Sequence, residues 1–275
     1  MAAEFSQTFN ERVQVTLAGG VADVRLVRPD KLNALDTAMF DALIAAGEAL
    51  GRQPGVRAVV LSGEGKGFCA GLDMGLFQSM ASGGSVLGDL RPRSHGPANH
   101  AQHAVLVWRA LPVPVIAAVH GVALGGGLQI ALGADLRYVA PDTRLSVLEV
   151  KWGLVPDMAG MALMRRLARA DIIRELTLTG RIFSGTEAQA LGLATAVHDD
   201  PRAAALATAR DIAGRSPDAV RAAKRLLNLS EDAGFAAVLQ AESDEQNALI
   251  GSPNQVEAVL AGVAKRPADF RDPPA

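Results

Sequence analysis

Five consecutive apolar residues, Val115–Val119, lead through a turn at Gly121 into three adjacent glycines, Gly125, Gly126 and Gly127, and on into the apolar run 128–132. A short buried strand feeding a helix through glycines commits the chain to strand and helix layers packed on one core. It also aims backbone N–H groups at an acceptor, because glycine lets another group approach the main chain and a helix N-terminus carries partial positive charge. Further on, Glu149 stands between Leu148 and Val150, and Asp157 follows Pro156. Aimed backbone donors and sparse carboxylates within one stretch, 120–160, are the ingredients of an oxyanion hole served by acid–base groups. The glycine spacing is neither the dinucleotide fingerprint nor a P-loop: no Lys-Ser/Thr follows, and no acidic ribose partner stands at the expected distance. Tight strand-to-helix packing would call for the same glycines, so the residues alone leave both readings open.

Around this stretch the pattern alternates strands with helices. A hairpin is expected from 13–17 and 21–27 about Gly19-Gly20, and a buried strand at 56–61. Asn33 or Asp36 can cap a helix reaching about residue 51, with Leu35, Met39, Leu43, Ala46 and Leu50 at helical spacing. Residues 79–97 are rich in Gly, Ser, Pro and Arg and read as a loop with short helical pieces, of the kind that covers sites. A helix at 100–110 stops before Pro112 and Pro114. Beyond the central stretch, a strand is expected at 136–139, an extended piece at 144–147, and helices at 157–168 and 171–178. Ser184-Gly-Thr-Glu187 has the capping-box form before a helix at 188–191, and 194–197 reads as a last strand. From Asp200 onward only helical patterns follow: 201–215, 217–229, 232–250 and 253–264, with a loosely ordered tail from Arg266. The expected organisation is an α/β core over 1–199 and a helical region over 200–275.

Composition narrows the class of function. Apolar content of 49%, charged content of 20% and a net charge of −2 describe a globular protein with no electrostatic reason to bind nucleic acid or an anionic membrane. Cys69 is the one cysteine, which excludes an intramolecular disulfide and fits a reducing cytoplasm. The N-terminus lacks the basic and apolar regions of a secretory signal, and no uncharged apolar run reaches about 18 residues, so neither secretion nor a membrane span is expected. His100 and His103 have helical spacing but no third ligand nearby in sequence, and no metal site is expected. His120 reads as a packed residue, Asp135 as structural, Cys69 as a buried small side chain. The absence of Gly-x-Ser-x-Gly counts against a serine hydrolase.

Four blocks, in order, carry a resemblance. Arg28-Pro29 with Asn33-Ala34-Leu35, the run Gly67-Phe-Cys-Ala-Gly-Leu-Asp73, the run Pro114-Val-Ile-Ala-Ala-Val-His-Gly-Val-Ala-Leu-Gly-Gly-Gly127, and Leu148-Glu-Val-Lys-Trp-Gly-Leu-Val-Pro-Asp157 resemble the blocks of the enoyl-CoA hydratase/isomerase (crotonase) superfamily. The resemblance implies a spiral of ββα turns, a helical C-terminal trimerisation region, assembly as homotrimers or hexamers, and an acyl-CoA thioester as substrate in fatty-acid or related metabolism. Coenzyme A is then part of the substrate, and no separate cofactor is expected. By position, the two N–H groups that hold the thioester oxygen belong to Leu72 and Gly126. Ala34, Ala70, Gly71, Leu72, Asp73, Met74, Gly126 and Gln129 fall at substrate-facing positions, with Lys31 as partner for the CoA phosphates and Lys265 and Arg266 as further cations. An α-proton next to a thioester is only weakly acidic, and two aimed donors stabilise the enolate formed when it leaves.

The sequence departs from the hydratase pattern at one position. Hydratases resemble one another in a glutamate two residues after the third glycine and a second in the last block, together activating a water. Here these positions hold Gln129 and Glu149. A neutral amide hydrogen-bonds but takes no proton at ordinary pH. Asp157 supplies the second carboxylate, and its spacing from Glu149 resembles dienoyl-CoA isomerases, which usually carry a further aspartate at the Gln129 position. The expected catalytic pair is therefore Glu149 and Asp157, moving a proton between carbons. A 3-enoyl-CoA isomerase using Glu149 alone, a hydratase with Glu149 and Asp157 around one water, and a catalytically silent acyl-CoA binder are the alternatives.

Overall fold

In the computed structural model, which describes residues 5–84 and 88–273, the glycine pair expected to turn the first hairpin does so. Gly19 and Gly20 adopt φ of 57° and 80°, and the two-residue loop joins β2 (Val13–Ala18) to β3 (Val21–Leu26) with Ala18 opposite Val21. Positive φ at both central residues matches the right-handed twist of the flanking strands. An outer strand, β1 (Phe5–Phe9), pairs antiparallel with β2. Its three central residues are exposed, so it lacks the apolar alternation that would mark it in the sequence.

From β3 the sheet continues in parallel through β4 (Ala58–Gly63), β5 (Val115–Val119), β7 (Leu136–Val139) and β9 (Ala196–Val197). Every residue of β4 and β5 is buried, as strands covered on both faces require. A second, shorter ladder runs beside it. There β6 (Val122–Leu124) pairs in parallel with β8 (Arg144–Ser146), and single bridges join Leu35 to Leu72, Cys69 to Ala123 and Leu145 to Phe183. Each circuit of the chain thus lays one strand in the main sheet, one short extended piece in the second ladder, and then a helix. This is the spiral of ββα turns expected from the resemblance.

The helices of the circuits are α1 (Thr37–Arg52), α2 (Met74–Ala81), α3 (His100–Ala110), α4 (Gly126–Leu132), α5 (Gly160–Met164), α6 (Ala170–Thr179) and α7 (Gly185–Ala190). Of the two candidate caps for α1, Asp36 serves, accepting from Met39 N at 2.8 Å. Asn33 is instead buried, accepting from Arg28 N and donating to Glu64 O and Gly67 O, so it ties two loops together. Ser184 caps α7 as expected, but Glu187 turns to Arg181, leaving half a capping box; the complete box forms at Asn99 and Gln102 before α3. Two expectations are corrected. The helix foreseen at 157–168 begins only at Gly160, because Ala159 is left-handed (φ 67°) and the N–H groups of Met158 and Gly160 bond a side chain. The loop 79–97 starts inside α2; its residues 85–87 lie outside the described residues.

The helical region expected from residue 200 opens with α8 (Pro201–Ala213), whose Ala205, Ala209 and Ala213 bury against Val21, Ala58, Val60, Ile116 and Ala118 on the sheet. After it come α9 (Pro217–Ser230), α10 (Phe235–Leu249) and α11 (Pro253–Ala264). The tail is not loose through 273. Arg57 bonds Asp272 at 2.7 Å and Phe270 O at 2.9 Å, and Asn254 bonds both backbone groups of Arg271. Residues 274 and 275 lie outside the described residues.

Candidate active site

The spiral brings the second and third circuits together at a pair of loops. Leu35 N donates to Gly71 O at 2.8 Å and Asp73 N to Leu35 O at 3.0 Å. By strand alternation, Leu72 then turns its own N–H away from Leu35. Gly71 must be glycine: its φ is 85°, and a Cβ there would stand 2.5 Å from Leu124 O and 3.7 Å from Gly126 N. On the facing loop, Gly125 N donates to Ser146 O at 2.9 Å, and Gly126 opens α4. Among the described residues, neither Leu72 N–H nor Gly126 N–H donates to a protein acceptor. Both residues line one cavity of about 510 Å³.

The wall of that cavity is apolar. Phe77 of α2 stacks on Trp152 at 4.7 Å, closing one side with Met80, Leu90 and Val155. Two carboxylates enter this setting. Glu149 begins a short 3-10 turn (Glu149–Trp152) directly after the second ladder, and Asp157 follows on the same loop. Burial pushes both carboxyls above their usual range, and for Glu149 the nearby Asp157 charge adds to the rise. Gln129 Nε2 donates to Glu149 Oε1 at 2.7 Å, which favours the ionised form. Oε2 is buried with no protein partner. Asp157 has no side-chain donor among the described residues, so no such bond offsets the rise that burial causes there.

Gln129 is itself fixed. Its Oε1 accepts from Met158 N and Gly160 N, both at 2.9 Å, which orients the amide and sets its Nε2 toward Glu149. A Cβ on Gly160 would stand 2.7 Å from that oxygen, and one on Gly125 3.3 Å from Glu149 Oε1, so glycine at both positions makes room for the clamp. Nothing in the sequence announces it, because it depends on the left-handed Ala159.

Of the residues singled out from the sequence, Ala70, Gly71, Leu72, Met74, Gly126, Gln129, Glu149 and Asp157 all line the cavity. Others, among them Lys265, lie off it. Asp73 caps α2 through Gly75 N and pairs with Arg28, both at 2.7 Å. Ala34 is buried behind the loop, its carbonyl taken by Arg28 at 3.0 Å, and Lys31 is exposed on the 29–31 turn. Arg266 is paired with Glu257. Cys69 is buried, with its thiol pushed up to about 12 and donating to Asn33 O, which suits a packed residue. On folding, His103 gains neighbours of ligand type that the sequence order does not show, Glu48 from α1 and His95 from the preceding loop.

The description Enoyl-CoA hydratase/isomerase belongs to the family whose sequence model matches residues 16–273. The peroxisomal Delta(3,5)-Delta(2,4)-dienoyl-CoA isomerase of Arabidopsis thaliana is 32% identical over 249 residues, covering 88% of this chain and 90% of that protein. Mitochondrial methylglutaconyl-CoA hydratase of Mus musculus is 30% identical over 261 residues, 92% of this chain and 80% of that protein. The crystal structure of enoyl-CoA hydratase from Bacillus anthracis superposes with a TM-score of 0.84 at 28% identity, covering 94% of this chain and 98% of that one.

Proposed function

The chain belongs to the enoyl-CoA hydratase/isomerase family, and on that premise we propose that it is a double-bond isomerase acting on dienoyl-CoA thioesters. The clamped Gln129 carries this reading. Adding water across a double bond through two carboxylates needs a second proton acceptor where Gln129 lies, and that position holds an amide whose carbonyl is committed to two backbone N–H groups. Moving a proton along one face of a conjugated system needs only a base, an acid and stabilisation of the negative charge between the two steps.

The proposed steps use this geometry. The thioester oxygen takes the Leu72 and Gly126 N–H groups. Glu149, ionised with Gln129 donating to it, uses Oε2 to remove a proton from C2 of a 3,5-dienoyl thioester. The electron pair enters the C1–C2 bond, giving a dienolate with its charge on the thioester oxygen; when that charge returns, the double bonds settle at C2–C3 and C4–C5 and C6 takes the proton from Asp157. The product is the 2,4-dienoyl thioester. Each N–H aimed at the enolate oxygen contributes roughly 2.7–4 kcal/mol to lowering the barrier. Relatives named as isomerases and as hydratases lie at similar identity, so the choice rests on the site.

The same reading extends to assembly and location. Leu227, Phe235, Ile250 and Val263 on the C-terminal helices are 63–81% exposed, a load of apolar surface suited to packing against further copies in a homotrimer or hexamer. No described helix is long and apolar enough to cross a membrane. A cytoplasmic setting stays part of the proposal.

Following conversion of a 3,5-dienoyl-CoA by Glu149→Gln and Asp157→Asn tests the assignment. Each variant should lose about 10²–10⁴ in kcat, the usual worth of a positioned acid or base. Full activity in both would sink it.

A further inference from the structure

Three of the five histidines gather at one place outside the cavity, where α1, α3 and the hairpin tip before α3 meet. His95 and His103 stack at 4.2 Å with 15° between their planes, and His103 Nε2 lies 3.4 Å from Glu48 Oε1. His100, one helical turn earlier, pairs with Asp41 at 3.0 Å. One ring nitrogen each from His95 and His103 and one oxygen of Glu48 fall within 4.8 Å of one another, all half-buried. Two imidazoles and a carboxylate are the ligands that zinc-class ions take, and three protein ligands leave room for water at the fourth position.

The support for these ligands comes from two sides. Glu48 and His103 sit on helices in direct contact, so close that a Cβ on Gly47 would meet Val107 at 2.6 Å. His95 rides on a tight turn closed by reciprocal bonds with Ala98, both 3.0 Å, and its Nδ1 is 2.9 Å from Ser94 Oγ. That turn connects straight to the cavity wall. Asn99 Nδ2 and Arg93 Nη2 both donate to Leu90 O, at 2.9 and 2.6 Å, and Leu90 and Gly88 line the cavity.

We propose that Glu48, His95 and His103 form a binding site for a divalent transition-metal ion of the zinc class, and that the bound ion fastens the 88–99 loop, one wall of the cavity, to α1 and α3. Binding turns the stacked His95 ring until both imidazole nitrogens face one centre, so the loop is drawn in with the ion. The proposal stands on the loop geometry and holds whichever reaction the cavity carries out.

Titration of the chelator-treated full chain with Co²⁺ and then Zn²⁺ tests it. One Co²⁺ per chain should bind with visible d–d bands, and Zn²⁺ should displace it. His95→Gln, His103→Gln and Glu48→Gln should each weaken binding by about tenfold or more. His100→Gln, whose ring is engaged by Asp41, should leave it unchanged. Amide exchange over 88–99 should slow when Zn²⁺ is bound. Absence of stoichiometric binding, or undiminished binding by the folded His95→Gln/His103→Gln double variant, would overturn the site; binding without slowed exchange would overturn the fastening.

Discussion

At Gln129 one side chain meets three partners, accepting two backbone N–H groups and donating to Glu149. Converting it to glutamate places a second carboxylate against Glu149, where the two must share a proton, and restores the acceptor that water activation lacks. Gln129→Glu should therefore raise hydration of a 2-enoyl-CoA by about tenfold or more and lower isomerisation by a similar factor, on the scale of acid–base contributions; rates on both substrates check this. The pH dependence has a defined sign. The proposed mechanism needs Glu149 ionised and Asp157 protonated, and burial raises both, so the acid limb of kcat/KM should lie above the ordinary glutamate value of about 4.3. The alkaline limb marks loss of the Asp157 proton and disappears in the small residual rate of Asp157→Asn. Stability moves the other way. A carboxyl whose folded pKa is raised stabilises the fold below its unfolded value, and that contribution is lost as pH rises through the folded value. Glu149→Gln should thus melt higher than the parent at pH 8, by a few degrees for on the order of 1 kcal/mol, with the gap closing toward pH 4.

Among the elements, α9 is tied toward the sheet by a buried lysine. Lys224 Nζ donates to Asp135 Oδ2 at 2.7 Å and to Val113 O at 2.8 Å, with only 4% of its side chain exposed. Asp135 Oδ2 also accepts from Val115 N, so this carboxylate joins the strand carrying the catalytic loop to the C-terminal helices. Lys224→Ala should cost about 3–5 kcal/mol, as removal of one partner from a buried pair does, and thermal unfolding measures it. Sequence was most informative where local pattern decided the outcome. The Gly19-Gly20 turn, the apolar Val115–Val119 strand and the glycines that start α4 lie where composition and spacing put them. It was silent where tertiary contacts decided. Strand β1 gains its place by pairing, the 157–160 segment gives its N–H groups to Gln129 instead of continuing a helix, and the neighbours of His103 come from 55 and 8 residues earlier, at Glu48 and His95. Asp73, expected from the resemblance at a substrate-facing position, caps a helix.

As a whole molecule, the chain covers its sheet with α8 and turns the apolar faces of α9–α11 outward. Sedimentation at micromolar concentration should give a trimer or a hexamer. Phe235→Glu combined with Val263→Glu, both at positions 81% exposed in the single chain, should shift it toward monomer, because each would bury a charge without a partner. The proposed function gives the cavity aimed donors, a base and an acid, and its central claim is that the cavity moves double bonds in preference to adding water. The most direct measurement is kcat/KM of the unaltered protein on a 3,5-dienoyl-CoA beside a 2-enoyl-CoA of equal chain length, under the same conditions. The account predicts isomerisation to the 2,4-dienoyl thioester, faster than hydration by about a hundredfold or more, on the scale of one missing acid–base group; faster formation of the 3-hydroxyacyl product would contradict it.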